Sequence, residues 1–168
     1  TYSLQIISEQ VSVSFVLDAT QLTSKKIDSF INNVAKTELT SLREYIFVVS
    51  NDYKQPKTNS MIRFVVNKGY FNSHPINLAC IAAKNEWIAI LDKTHVNGEG
   101  IKKYIDTLVD NFANSYKVIQ LTDATILLRK SFFILVGGLS CDPINLKNNI
   151  EYLVKYSSVD NSLLSPSI

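Results

Sequence analysis

Glycine is scarce in this chain, five in 168 residues. Neither G-x-G-x-x-G nor G-x-x-x-x-G-K-[ST] occurs, so the two glycine-rich phosphate-loop signatures are excluded. Gly98 and Gly100 read as turn and helix-start residues, and Gly137-Gly138 as a turn after an apolar run. Cysteine is equally sparse. Cys80 and Cys141 sit in apolar surroundings, no C-x-x-C exists, and His74 and His95 stand apart, which leaves a zinc site without ligands. No G-x-S-x-G or H-E-x-x-H is present. No metal or cofactor ligand set emerges.

Charge is thin as well. Charged residues make up 19% of the chain and the formal net charge is +2. Adjacent basic pairs occur only at Lys25-Lys26, Lys102-Lys103 and Arg129-Lys130. A nucleic-acid binder concentrates its cations on one face, so that class of partner is disfavoured. No run of eighteen apolar residues marks a membrane-spanning helix.

What remains is an α/β pattern, with 46% hydrophobic residues. Thr1 to Ile7 and Val11 to Leu17 read as two strands joined by Ser8-Glu9-Gln10. In the second, Val11, Val13 and Phe15 alternate with Ser12 and Ser14, the period of a half-buried antiparallel hairpin. Ser24 opens a helix with Ile27, Phe30, Ile31, Val34 and Ala35 on one face, capped by Thr23 or Ser24. Tyr45 to Ser50 is a continuous apolar run, as in a strand buried on both faces. A polar loop from Asn51 to Ser60 carries Pro56, and Met61 to Asn67 is a strand.

Ile76 to Ala83 and Glu86 to Leu91 read as a hairpin across Lys84-Asn85, with Asn85 a candidate for positive φ. A second helix is expected from Glu99 to Phe112, a strand from Tyr116 to Leu121, and a hairpin of Ala124 to Leu128 with Ser131 to Val136. Asp142-Pro143 opens a third helix with Leu146, Ile150, Leu153 and Val154 on its buried face. The expected fold is a single α/β domain over 1–156, a mixed sheet with three main helices. It divides into half-units 1–50 and 61–156, and 157–168 forms a polar tail or linker.

Two stretches carry resemblances. His95 ends the run WIAILDKTH and is followed by Val96-Asn97-Gly98-Glu99-Gly100. This H-x-x-x-E-G is similar to the H-x-x-x-D-G of chloramphenicol-acetyltransferase and condensation-domain acyltransferases. That resemblance implies a general base at His95. Glu99 stands where those families have Asp, and the competing reading is a surface histidine in a turn. Asp18, Asp92, Asp123 and Asp142 lie near element ends, where caps are common, and no carboxylate pair stands out.

The second resemblance is to segment order. The stretch from Ile88 to Asp123, IAILDKTHVNGEGIKKYIDTLVDNFANSYKVIQLTD, reads strand, polar turn, amphipathic helix, strand, acidic end. This resembles the actin-like (ribonuclease-H-like) cytoplasmic domains of inner-membrane assembly proteins of type IV pili and type II secretion, those of the bundle-forming pilus included. The resemblance implies a non-catalytic interaction module at the cytoplasmic face of the bacterial inner membrane. Its partners would be an assembly ATPase or a neighbouring platform protein, and the membrane would be reached only through a segment outside this chain. Actin-like ATPases carry D-x-G near the first hairpin, where this chain has Ser8-Glu9-Gln10, so the resemblance implies no nucleotide cofactor and no catalytic residue. The alternatives are an acyltransferase-like lobe using His95 and a ring-forming module of a secretion apparatus.

Overall fold

The computed structural model describes residues 12–35, 43–58, 60–68, 75–91, 119–122, 125–135 and 137–138. Its elements are β1 (Val13–Asp18), α1 (Ser24–Ala35), β2 (Arg43–Ser50), β3 (Ile62–Asn67), α2 (Pro75–Ala82), β4 (Trp87–Ile90), β5 (Ile119–Thr122), β6 (Thr125–Arg129) and α3 (Lys130–Leu135). Among the described residues the six strands form one mixed sheet in the order β3-β2-β1-β4-β6-β5. The first four are parallel, and β6 runs antiparallel to both β4 and β5.

The expectation of a mixed α/β sheet is met, but the details move. β1 is not half of an antiparallel hairpin with an earlier strand. Its two edges are taken by β2 and β4, both parallel to it. The Val/Ser alternation misleads because Ser14 is buried and has a partner: its Oγ accepts the Asn85 N–H at 3.2 Å. A polar residue with its hydrogen bond made does not mark a solvent face.

Ile76 to Ala83 is not a strand either. Pro75 sits at the first position of α2, where its fixed φ suits a helix and its missing N–H costs nothing. The segment is apolar nearly all round, with Ile76, Ala79 and Cys80 packed on the sheet and Ile81 exposed, and such short runs carry no decisive period. The Lys84-Asn85 hairpin and the positive φ at Asn85 fall with it, since no described residue other than glycine has φ > 0.

Ser131 to Leu135, the described part of the expected strand Ser131 to Val136, belongs to α3 and is not a strand. The Glu86 carboxylate accepts hydrogen bonds from both the backbone N–H and the hydroxyl of Ser131, satisfying the helix start. At the other end the Gly138 N–H donates to Phe133 O and the Gly137 N–H to Ile134 O. Both glycines have positive φ, the geometry of a Schellman cap. The expected helices Glu99–Phe112 and Asp142–Val154, and the strand at Thr1–Ile7, lie outside the described residues.

Both faces of the sheet are covered. On one, Ile27 and Ile31 of α1 pack with Phe15, Tyr45, Phe47 and Trp87. On the other, Ile76, Ala79 and Cys80 of α2 and Phe133 of α3 pack with Val16, Ile46, Ile88 and Leu128. Double coverage explains the unbroken apolar runs of β2 and β4. Each fully buried aliphatic or aromatic side chain contributes at most roughly 1.5–3 kcal/mol. Cys80 is buried, and burial pushes its thiol well above the ordinary range.

Candidate functional site

Polar side chains of the parallel strands divide between two edges with different characters. At the N-terminal edge of β1 and β2 the charges hold structure together. Glu44 accepts from Arg63 Nη1 at 3.2 Å and from the Lys84 N–H at 3.1 Å. Arg63 also donates to Ala82 O, and Lys130 Nζ donates to Ile81 O and Ala83 O. These two cations, supplied from β3 and α3, meet the last carbonyls of α2, which has no basic residue in its own last turn. Arg129 lies 5.2 Å from the Trp87 ring centroid and forms an ion pair with Glu86.

The C-terminal edge is different. Here the chain leaves β1 at Asp18, β2 at Ser50 and β3 at Asn67. The β1–β2 ladder extends one step through Ala19 N–H to Val48 O, and the β1–β4 ladder through Leu91 N–H to Val16 O. After β1 the chain passes over one face by α1 to reach β2. After β3 it passes over the opposite face by α2 to reach β4 on the other side of β1. The strand order therefore reverses at the β1–β4 boundary. In open α/β sheets a crevice opens at such a point beyond the carboxyl ends of the strands.

Two short corners line this edge. In the first, Asp18 Oδ1 accepts from the Thr20 N–H at 3.0 Å and the Thr20 hydroxyl at 2.6 Å, an Asx-type turn. Both bonds fall on Oδ1, so Oδ2 is not committed to the turn. The corner leads to Thr23, whose Oγ1 accepts the Lys26 N–H at 3.3 Å and caps α1. Lys25 and Lys26 are exposed in that first turn.

In the second corner the Ser50 hydroxyl donates to Asp52 Oδ1 at 2.6 Å, and the Tyr53 N–H donates to Ser50 O at 3.2 Å. The Ser50 hydrogen bond holds the exposed Asp52 carboxyl below its usual range. The Tyr53 hydroxyl donates to Asp28 Oδ1 of α1 at 2.9 Å. Partial burial and the Asp28 carboxylate raise the Tyr53 phenol to about 12.

Of the sequence candidates, Asp18 lies in this site. His95, Asp92, Asp123, Asp142 and Glu99 lie outside the described residues. Ser50, Asp52 and Thr20 went unnoticed as site residues because each looks like ordinary turn chemistry. Only the parallel pairing of β1 with β2 brings them to one edge. Among the described residues no group of three His, Cys, Asp or Glu side chains is placed to hold a metal ion.

No protein-family model matches the chain, and no curated protein matches it. Solved structures do. A mannosyltransferase, PcManGT from Pyrobaculum calidifontis in complex with GDP-Man and Mn2+, matches with a TM-score of 0.59 at 10% identity, over 82% of this chain and 49% of that one. S. aureus TarS (1–349) matches with a TM-score of 0.56 at 13% identity, over 83% of this chain and 53% of that one. The same protein in complex with UDP matches with a TM-score of 0.56 at 12% identity, over 86% and 54%. At such identities the likeness establishes the fold, and the chain spans about half the length of each.

These neighbours correct the family resemblance drawn from segment order. They are glycosyltransferases, not actin-like domains of pilus or type II secretion assembly proteins. The non-catalytic pilus module, its ring-forming alternative, and the pilus and secretion context fall with that resemblance. The acyltransferase-like alternative rested on His95, outside the described residues, and these neighbours do not match it. Segment order misled because strand, helix, strand recurs in every α/β family, while the strand order that separates families is invisible in it.

Proposed function

We propose that this chain binds a nucleoside-diphosphate sugar at the C-terminal edge of β1 and β2, as the donor-binding half of a glycosyltransferase-type fold. The observation that carries the reading is the reversal of strand order between β1 and β4, with the Asp18–Thr20 and Ser50–Asp52 corners beside it. The related folds were captured with GDP-Man or UDP, ligands that share a nucleoside diphosphate.

The chemistry of the edge suits that ligand. Carboxylates accept hydrogen bonds from ribose hydroxyls and base N–H groups. The start of α1 offers backbone N–H groups, a favourable dipole and the ammonium groups of Lys25 and Lys26 to a diphosphate. PcManGT was captured with Mn2+, but the described carboxylates here do not form a cation cluster, so the reading assigns no step to a metal. It reverses the expectation of no nucleotide ligand, which rested on the actin-like resemblance and on the absence of the two glycine-rich phosphate-loop signatures.

Calorimetric titration and thermal shift with UDP, GDP and ADP test the reading. A nucleotide present at a hundred times its Kd stabilises the fold by about 2.7 kcal/mol, a readily measured rise in Tm. Asp18→Ala is expected to weaken that binding. Absence of heat and of any Tm change with all three nucleotides at millimolar concentration overturns the proposal.

A further inference from the structure

Tyr53 ties the β2 corner of the C-terminal edge to α1, the helix that follows the β1 corner. Its N–H closes the β2 turn onto Ser50, and its hydroxyl reaches Asp28, 25 positions earlier in the chain. Asp28 sits on α1, the helix that grows directly out of the Asp18–Thr20 corner. The Tyr53 ring packs on Phe64 of β3 at 5.9 Å, and Phe64 packs on Phe47 of β2 at 5.9 Å. The ring is therefore held by the sheet while the hydroxyl holds the helix.

We infer that Tyr53 is a positioning residue for nucleotide binding, setting the separation of the Asp18 and Asp52 corners through its hydrogen bond to Asp28. The inference rests on the nucleotide-binding reading above and deepens it. Two divisions of labour follow from the geometry. Packing on Phe64 stabilises the fold, and Tyr53→Phe keeps that packing. The hydroxyl makes a surface hydrogen bond, whose contribution to global stability is small. Its effect is to restrict where α1 and the Asp52 turn stand relative to each other before a ligand arrives. Preorganisation of this kind shows in affinity rather than in melting temperature.

The test compares wild type, Tyr53→Phe, Asp28→Ala, Asp28→Asn and the Tyr53→Phe/Asp28→Ala double variant. UDP and GDP affinities are measured by calorimetry, and Tm is measured on the same samples. Tyr53→Phe and Asp28→Ala are each expected to lose about three- to tenfold in affinity, the worth of one net hydrogen bond, with Tm nearly unchanged. The double variant should be no worse than either single one, because one bond is lost in all three. Asp28→Asn retains a carbonyl acceptor and should bind close to wild type. Variants that bind as tightly as wild type overturn the positioning role and leave the nucleotide reading standing. The same holds for affinity losses that track a fall in Tm, which mark a purely structural role. A wild-type protein that binds neither nucleotide overturns both.

Discussion

Glu44, buried at the start of β2, accepts a hydrogen bond from Arg63 of the adjacent strand at 3.2 Å, and the two residues also grip the chain at the end of α2 and just past it. Arg63 donates to Ala82 O, and Glu44 accepts the Lys84 N–H. The pair thus fastens the end of α2 to the sheet edge opposite the proposed ligand.

Removing the carboxylate leaves the Lys84 N–H without its acceptor and Arg63 without its counter-charge. Glu44→Ala is expected to cost about 2–4 kcal/mol, reduced from the fully buried case because Arg63 is part exposed. Urea unfolding followed by tryptophan fluorescence reads the shift in midpoint, with Trp87 as the only Trp in the chain. Because Glu44 sits at the far edge, nucleotide affinity of the folded variant should stay at the wild-type value.

Gly137 and Gly138 offer a matched pair of substitutions. Both have positive φ, +85° and +77°, but a Cβ on Gly137 meets nothing within 4 Å. A Cβ on Gly138 would stand 2.8 Å from Asn77 Oδ1 and 3.2 Å from Asn77 Cγ on α2. Gly137→Ala is expected to cost about 1 kcal/mol for the left-handed backbone alone. Gly138→Ala should cost that strain plus displacement of the Asn77 side chain. Paired denaturation curves check the order, and equal costs would show that Asn77 yields freely.

The raised Tyr53 phenol has a consequence for alkaline stability. An unfolded tyrosine ionises near 10, whereas folded Tyr53 does so at about 12. Above 10 the unfolded state therefore holds fewer protons than the folded one, and stability falls as pH rises. The contribution is complete below 10 and disappears as pH passes through about 12. Stability measured against pH should fall more steeply over that window in wild type than in Tyr53→Phe, and parallel curves would refute the assignment.

Much of the core is legible in the sequence. The runs from Tyr45 to Ser50 and Met61 to Asn67 are the greater part of β2 and the whole of β3, and Ile27 and Ile31 do face the sheet from α1. Two of the errors share one cause. Ile76 to Ala83 and Ser131 to Val136 are apolar stretches too short to display a helical period, and tertiary packing decided their state. Pro75 was the overlooked local signal for α2, and Gly137-Gly138 suited a helix end as well as a strand end. The site was harder to see, because nothing in the composition of β1 states which strands lie beside it or in which direction. Asp18, Thr20, Ser50 and Asp52 acquire a common location only through that pairing.

The central place of β1 also shapes the order in which this chain can fold during synthesis. Val13 pairs on one side with Arg43 and on the other with Trp87. The first of the described strands to leave the ribosome therefore waits longest, among the described strands, for its second neighbour, a delay of several seconds at roughly 5–20 residues per second. Through that interval an apolar strand with one open edge is exposed to other chains. Expression at lower temperature or with chaperones should raise the soluble yield more than stabilising mutations elsewhere, since the hazard lies in waiting for β4.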